Sequence, residues 1–233
     1  KTGIDLAGEI EGIVPSPASK QQYEKKTRWY PGDLVNASIG QGLWKVTPLQ
    51  LVRGVAAIAD DGRMRRPHLV ASTRPRFDAP WQPLPQAEPI RISDDAGHVR
   101  VVQEGMQMTT SGSGTAARIF RGTPYLSAGK TGTAQVVNRG VRAVDPRSLP
   151  LWKRHRGLYI GYAPADDPKI AIAIAVEGGG FGADSAAPIA RKVFDAWLMG
   201  KAPAPAATNA GDDAAATRPD FSNVVGNPPA PPP

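Results

Sequence analysis

The sequence contains no cysteine, and this absence removes several kinds of chemistry. Without thiols the chain forms no disulfide, holds no thiolate-bound metal and has no cysteine nucleophile. No apolar run reaches the roughly 18 residues that a transmembrane helix needs, and no secretory leader is evident. The chain begins with Lys1 in a polar stretch rather than with Met. We therefore expect a piece of a longer protein, with any targeting segment upstream.

Glycine and proline, by contrast, are abundant, with 25 Gly and 24 Pro among 233 residues. Such a proportion predicts long loops or a disordered end. Residues 201–233 hold nine alanines and eight prolines, which predicts a disordered Pro/Ala-rich tail after a folded portion over 1–200. The net charge of +7 favours anionic partners, without choosing among nucleic acid, an anionic membrane and acidic substrates.

The first clear helix is predicted over 48–60. Thr47 is a suitable N-cap, Pro48 suits the first helical position, and Gln50 completes a capping box with Thr47. Residues 1–46 are punctuated by glycine and proline and are therefore predicted to be mostly loop.

Apolar residues at helical spacing predict three more helices, over 94–108, 115–120 and 186–199. Ser93 is the expected N-cap of the second helix, and Asp184 or Ser185 that of the last. The last helix is expected to bury a face formed by Ile189, Val193, Phe194 and Trp197.

Three strands follow one another late in the chain, predicted over 127–137, 157–163 and 169–176. The last run alternates large and small residues, as a strand covered on both faces does. The connections suit an antiparallel meander, and Asp166-Asp167-Pro168 supplies a turn. Helices beside an antiparallel sheet place the chain in the α+β class.

The strongest local motif is Lys130-Thr131-Gly132-Thr133, within the first of these strands. Lys-Thr-Gly belongs to the signature of serine β-lactamases and penicillin-binding proteins, together with Ser-x-x-Lys. On a strand, Lys130 and Gly132 face one way and Thr131 and Thr133 the other. Gly132 permits close approach of a substrate, and a backbone N–H near Thr133 can serve as an oxyanion donor. The triplet alone is weak evidence, because Lys1-Thr2-Gly3 repeats it and a surface lysine at a strand end explains it equally well.

A longer string decides between these readings. Ser38–Leu51 (SIGQGLWKVTPLQL) closely resembles the region before the Lys-Thr-Gly strand in class B penicillin-binding proteins of the elongation type, penicillin-binding protein 2. Further strings of this family occur in the same order: Gly3-Ile4-Asp5-Leu6, Asp61-Gly62, Pro67-His68-Leu69, Gly114-Thr115-Ala116 and Gly161-Tyr162-Ala163-Pro164. The resemblance covers about residues 1–200.

The resemblance implies a penicilloyl serine transferase (β-lactamase/transpeptidase-like) fold, an antiparallel sheet flanked by helices, with its N-terminal portion missing. It implies a D,D-transpeptidase that cross-links peptidoglycan stem peptides through a serine acyl-enzyme and binds β-lactams. Lys130 would then supply positive charge and orient proton transfer. Thr131 and Thr133 would hold the donor peptide's carboxylate, the Thr133 N–H would be an oxyanion donor, and Gly132 would allow close approach.

The chain departs from the family pattern at the nucleophile. The one Ser-x-x-Lys string, Ser127–Lys130, overlaps the Lys-Thr-Gly strand itself and is interpreted as coincidence, and no Ser-x-Asn triplet occurs. We expect both motifs upstream of Lys1, so that the nucleophilic serine is not in this chain and the chain alone is not acylated. The alternative is a noncatalytic peptide- or partner-binding module derived from a transpeptidase domain.

Cofactors and metals are not expected, because His68, His98 and His155 lack metal-ligand spacing. The resemblance implies that the protein is located at the periplasmic face of the bacterial inner membrane. It also implies membrane-embedded glycosyltransferase and elongation machinery as partners, and no binding of nucleic acid. The basic loop 138–156 is interpreted as a solvated loop. The alternative is that it contacts a glycan or a partner protein.

Overall fold

The computed structural model describes residues 1–26, 28–134 and 149–200, apart from the side chain of Trp152. In these ranges the α-helices are α1 Pro17–Glu24, α2 Pro31–Ser38, α3 Pro48–Ala59, α4 Ala96–Thr110, α5 Ala117–Phe120 and α6 Gly182–Met199. The strands are β1 Arg63–Met64, β2 Ser72–Thr73, β3 Gln82–Pro83, β4 Ile90–Arg91, β5 Ala128–Ala134, β6 Arg156–Ala163 and β7 Ile170–Val176. The predicted tail 201–233 and positions 135–137 of the first predicted strand lie outside the described residues.

The main sheet is an antiparallel meander in the order β5-β6-β7, as predicted. Lys130 lies opposite Ile160, and Ile160 lies opposite Ala173. In β7, isoleucines alternate with alanines, so that branched side chains cover one face and methyl groups the other. The short strands form two separate ribbons, β1 with β4 and β2 with β3.

Helix α6 covers one face of this sheet. Its alanines Ala186, Ala187 and Ala190 are fully buried, and with Phe194 they pack in a cluster that includes Tyr159 of β6. Because alanine carries only a methyl group, the helix axis lies close to the strands. Two aromatic contacts, Phe120 on Tyr159 and Phe194 on Tyr125, fill the space at the margin of the alanine face.

Helices α3 and α4 cover the opposite face. Val55 of α3 and Met106 of α4 are buried with Ala128 and Tyr162 of the sheet. The predicted capping box of α3 is present: the Thr47 hydroxyl accepts from the Gln50 N–H at 3.2 Å, and the Gln50 side chain accepts from the Thr47 N–H at 2.9 Å. The sheet is therefore covered on both faces, and the α+β prediction is confirmed.

The prediction for α6 was wrong in two respects. The helix begins at Gly182 after Phe181, so that Asp184 and Ser185 lie in its first turn and neither is the N-cap. Of the four residues expected on its buried face, Phe194 is buried, whereas Trp197 is 67% exposed. Ile189 and Val193 are exposed as well. These three residues form a neighbouring stripe, because the face toward the strands is formed by the alanines together with Phe194.

The N-cap of α4 also differs from the prediction. Asp95, rather than Ser93, precedes the helix, and its carboxylate accepts from the Gly97 N–H at 2.7 Å. Ser93 instead accepts from the Asp95 N–H at 3.2 Å and so supports the cap indirectly.

The expectation that residues 1–46 are mostly loop missed two helices, α1 and α2. Each has proline at its first position, where the absent N–H leaves no helical hydrogen bond unmade. Lys20 of α1 is buried and bonds Asp33 of α2 at 2.5 Å, which joins the two helices. These prolines read as loop markers in the sequence, although they begin helices in the structure.

Tyr159 makes the chain sensitive to alkaline pH. It is fully buried, its hydroxyl has no hydrogen-bond partner among the described residues, and burial raises its pKa far above the usual range. Above pH ~10 an unfolded tyrosine loses a proton that the native one keeps, so stability falls as pH rises. We expect Tyr159 to contribute a loss of about 1.4 kcal/mol per pH unit there. In urea unfolding, the free energy of unfolding of Tyr159→Phe should no longer show this part of the decrease with pH. At neutral pH its stability should be equal to that of the parent chain or higher. Tyr23→Phe is the control, because Tyr23 is 51% exposed. Its free energy of unfolding should change with pH as that of the parent chain does.

The packing of α6 gives a second prediction. Phe194→Ala should lower the free energy of unfolding by about 3–5 kcal/mol, because a fully buried ring is removed from between α6 and the sheet. Trp197→Ala, one turn away but largely exposed, should change it by no more than about 0.5 kcal/mol. Equal losses in urea unfolding would show that the helix faces have been assigned wrongly.

Candidate active site

The Lys-Thr-Gly-Thr residues lie on β5, a strand that pairs with β6 and with no other described strand. Thr131 lies opposite Tyr159, on the face covered by α6, whereas Lys130 lies opposite Ile160, on the face of α3 and α4. The motif therefore presents two faces and one unpaired edge. An edge of this kind can accept an extended peptide as an added strand.

Lys130 is the exposed member of the motif. Its ammonium group donates to the carbonyl oxygen of Thr131 at 2.7 Å, which folds the side chain back along its own strand. The charge is thereby held beside the strand backbone. A bound carboxylate in this position would gain a charge-assisted hydrogen bond.

Glycine is required where α6 meets the motif strand. A Cβ on Gly182 would lie 2.0 Å from the carbonyl oxygen of Leu158 and 2.5 Å from that of Gly132. A Cβ on Gly132 would lie 3.3 Å from Cβ of Leu158, a tight contact on the opposite face, beside Lys130. The first turn of α6 thus rests directly on the backbone of β5 and β6.

The beginning of β5 is held from both sides. The Thr110 hydroxyl at the end of α4 donates to the Ser127 carbonyl at 2.5 Å. A Cβ on Gly129 would lie 2.1 Å from the phenol oxygen of Tyr159, so only glycine leaves room for that ring. Because both contacts are buried, β5 enters the motif in a fixed position.

The hydroxyl of Thr131 makes a contact that the motif did not predict. Its Oγ1 lies 3.0 Å from Oγ1 of Thr115, in the loop between α4 and α5. The Gly114-Thr115-Ala116 string carried part of the family resemblance, but nothing in the sequence pairs it with a particular residue of the motif. Only the fold brings the two hydroxyls together.

The serine of the Ser-x-x-Lys string lies directly before β5. Ser127 is 5% exposed, and residues three apart on an extended strand face opposite ways. A serine nucleophile needs a base within hydrogen-bond reach. That Ser127 is not this nucleophile remains a prediction.

Other possible sites lie apart from the motif. A cavity of about 610 Å³ lies between α3 and the start of β7, and none of the four motif residues lines it. Within the described ranges, no three His, Asp or Glu side chains lie close enough to hold a metal ion, and no helix is long and apolar enough to cross a membrane. Much of the basic loop 138–156 lies outside those ranges, although Arg156 bonds Glu177 at 2.6 Å.

Comparison with known proteins identifies the family. The profile described as "Penicillin binding protein transpeptidase domain" matches residues 1–195. The chain belongs to the penicillin-binding protein transpeptidase family. This agrees with the resemblance seen in the sequence, and the fold and family predictions are confirmed.

The curated relatives of this chain include proteins named peptidoglycan D,D-transpeptidase MrdA. Peptidoglycan D,D-transpeptidase MrdA of Salmonella typhimurium is 37% identical over 200 residues, which cover 83% of this chain and 31% of the relative. The protein of the same name from Acinetobacter baumannii is 38% identical over 202 residues, which cover 85% of this chain and 29% of the relative. The chain therefore spans about a third of the length of these relatives.

Solved structures agree with the relatives. Pseudomonas aeruginosa PBP2, in complex with WCK 5153, matches with 36% identity and a TM-score of 0.67 over 86% of this chain and 42% of that one. A complex of Helicobacter pylori PBP2 with MreC matches with 28% identity and a TM-score of 0.68, and the match covers 86% of this chain and 34% of that one. The elongation-type assignment, penicillin-binding protein 2, is confirmed by these neighbours.

The contact between α6 and β5 gives a third prediction. Gly182→Ala should destabilise the chain by about 1–3 kcal/mol and loosen β5, because the new Cβ would overlap two carbonyl oxygens. Gly54→Ala is the matched control, since nothing lies within 4 Å of its Cβ position in α3. It should be neutral or stabilising by up to about 1 kcal/mol. Thermal melting and hydrogen exchange of the β5 amides provide the measurements, and equal protection in both variants would contradict the prediction.

Proposed function

We propose that this chain is part of a peptidoglycan D,D-transpeptidase that cross-links stem peptides through a serine acyl-enzyme and binds penicillin. The observation that carries the proposal is the Lys-Thr-Gly-Thr edge strand, held at its beginning from both sides and paired along one edge, in a chain of the transpeptidase family. An extended peptide ending in a carboxylate suits such an edge, because backbone groups and a cation are presented together.

Each motif residue has a proposed role in this reaction. Lys130 supplies positive charge and orients proton transfer, while Thr131 and Thr133 hold the terminal carboxylate of the donor peptide. The backbone N–H of Thr133 donates to the oxyanion of the tetrahedral intermediate. Gly132 leaves the strand surface free for close approach.

The nucleophilic serine is proposed to lie in a part of the protein outside this chain. Ser127, the serine of the one Ser-x-x-Lys string, is buried beside the start of β5. In the complete reaction the serine oxygen attacks the penultimate D-Ala carbonyl, the terminal D-Ala leaves with a proton, and an amine of a second stem then displaces the serine.

The relatives support a proposal for the location and partners of the whole protein. We propose that it acts at the periplasmic face of the inner membrane with the machinery of cell elongation, including a membrane-embedded glycosyltransferase. A relative of known structure forms a complex with MreC, and this supports a partner of that kind. The domain division at about residue 200, with a Pro/Ala-rich disordered tail, also remains a proposal.

A noncatalytic module derived from a transpeptidase is the second candidate. It is favoured by one observation, that Ser127, the serine of the one Ser-x-x-Lys string, is buried. Such a module would bind a peptide ending in D-Ala-D-Ala by the same edge but would never form a covalent adduct.

Intact mass after incubation with a penicillin tests the proposal. The chain alone should gain no adduct, and the longer protein from which it comes should gain one. In the longer protein, Lys130→Ala should slow acylation by about 100- to 10,000-fold, because proton transfer loses its positioned group. Lys169→Ala, at a turn where the lysine pairs with Asp167, should react at the wild-type rate.

Two outcomes would contradict the proposal. An adduct on the chain alone would show that a serine here is reactive after all, and Ser127 would be the first to map. Peptide binding by the longer protein without any adduct would instead favour the noncatalytic module.

A further inference from the structure

The hydroxyl pair between Thr115 and Thr131 joins the motif strand to a loop that the motif does not include. The two Oγ1 atoms are 3.0 Å apart, a normal hydrogen-bond distance for hydroxyl groups. Thr115 is exposed and Thr131 is half-buried, so the pair lies at the surface of the site rather than in the core. Either hydroxyl has the geometry to donate.

The loop that carries Thr115 is rigidly attached to α4. A Cβ on Gly114 would lie 2.0 Å from the carbonyl oxygen of Met108, so this glycine is pressed against the last turn of the helix. The Ala116 N–H donates to the Thr109 carbonyl at 2.9 Å, and the Ala116 side chain is fully buried. Thr115 is therefore held between two fixed neighbours, and its hydroxyl reaches Thr131 from a set direction.

The direction of this bond matters for the chemistry of Thr131. A threonine hydroxyl has one hydrogen and two lone pairs. When Thr115 donates to Thr131, the hydrogen of Thr131 is free to donate outward, and its polarity is increased by the bond that it accepts. When Thr131 donates to Thr115 instead, the site offers an anion no hydrogen from Thr131. An arriving carboxylate selects the first arrangement.

We propose that Thr115 is a positioning residue, which orients the Thr131 hydroxyl toward the carboxylate of the donor peptide or of a β-lactam. This inference rests on the proposed function, in which Thr131 holds that carboxylate. Thr115 does not touch the substrate itself. Its effect passes through the single hydroxyl pair, and the variants Thr115→Val and Thr131→Val should therefore not act independently.

The test uses the longer protein that contains this chain and its upstream nucleophile. We expect Thr115→Val to slow acylation by a penicillin about three- to tenfold, the range of one hydrogen bond. Thr115→Ser keeps the hydroxyl and should react at nearly the wild-type rate. Thr131→Val should lose at least as much as Thr115→Val, and the double variant should react no more slowly than Thr131→Val alone.

A penicillin methyl ester separates positioning from a merely structural role. The ester keeps a neutral carbonyl acceptor but carries no negative charge, so its slower reaction should lose less from Thr115→Val than the reaction of the acid does. Equal losses for the acid and the ester, additive losses in the double variant, or a wild-type rate in Thr115→Val would each overturn the inference and leave the proposed function standing. A wild-type longer protein that is never acylated would overturn both. If Thr115→Val has a lower melting temperature than the wild type, Thr115→Ala should be used instead, because it removes the same hydroxyl from an exposed position. The same acylation rates are then expected.

Discussion

The rest of the structure depends on the direct packing of α6 against the backbone of the sheet. Gly182 lies where a single methyl group would overlap the carbonyl oxygens of Leu158 and Gly132. The alanines that follow continue this close approach along the helix. Helix–sheet distance is therefore set by the smallest side chains in the chain rather than by the largest. Because interiors are close-packed, the position of β5 follows from that distance.

The motif strand is held by contacts from three separate parts of the chain. They come from the end of α4, from the ring of β6 that covers Gly129, and from the loop before α5. Each acts on a different residue in β5 or directly before it, and each is independent of any ligand. A strand fixed in this way presents its donors without rearrangement, which is the condition for strong electrostatic stabilisation of a developing charge.

Local signals in the sequence were sufficient for part of this picture. The Thr47–Gln50 capping box and the alternation along β5 depend on neighbours within a few residues, and both agree with the structure. The buried face of α6 was misjudged because apolar size was taken as the sign of burial, whereas close packing selected alanine. The Thr115–Thr131 pair joins residues 16 apart whose relation depends on where α4 ends against β5, so no spacing rule reveals it.

Strand β7 has a consequence for the isolated chain. Its seven residues, Ile170–Val176, are all apolar, and among the described strands only β6 pairs with it. Natural proteins usually protect such an edge with charge, proline or a bulge, since unpaired backbone groups on a flat apolar strand attract other strands. This strand carries none of those protections along its length. In concentrated solution, the separate chain is therefore prone to associate edge to edge, and its solubility would be governed by β7 rather than by the basic surface.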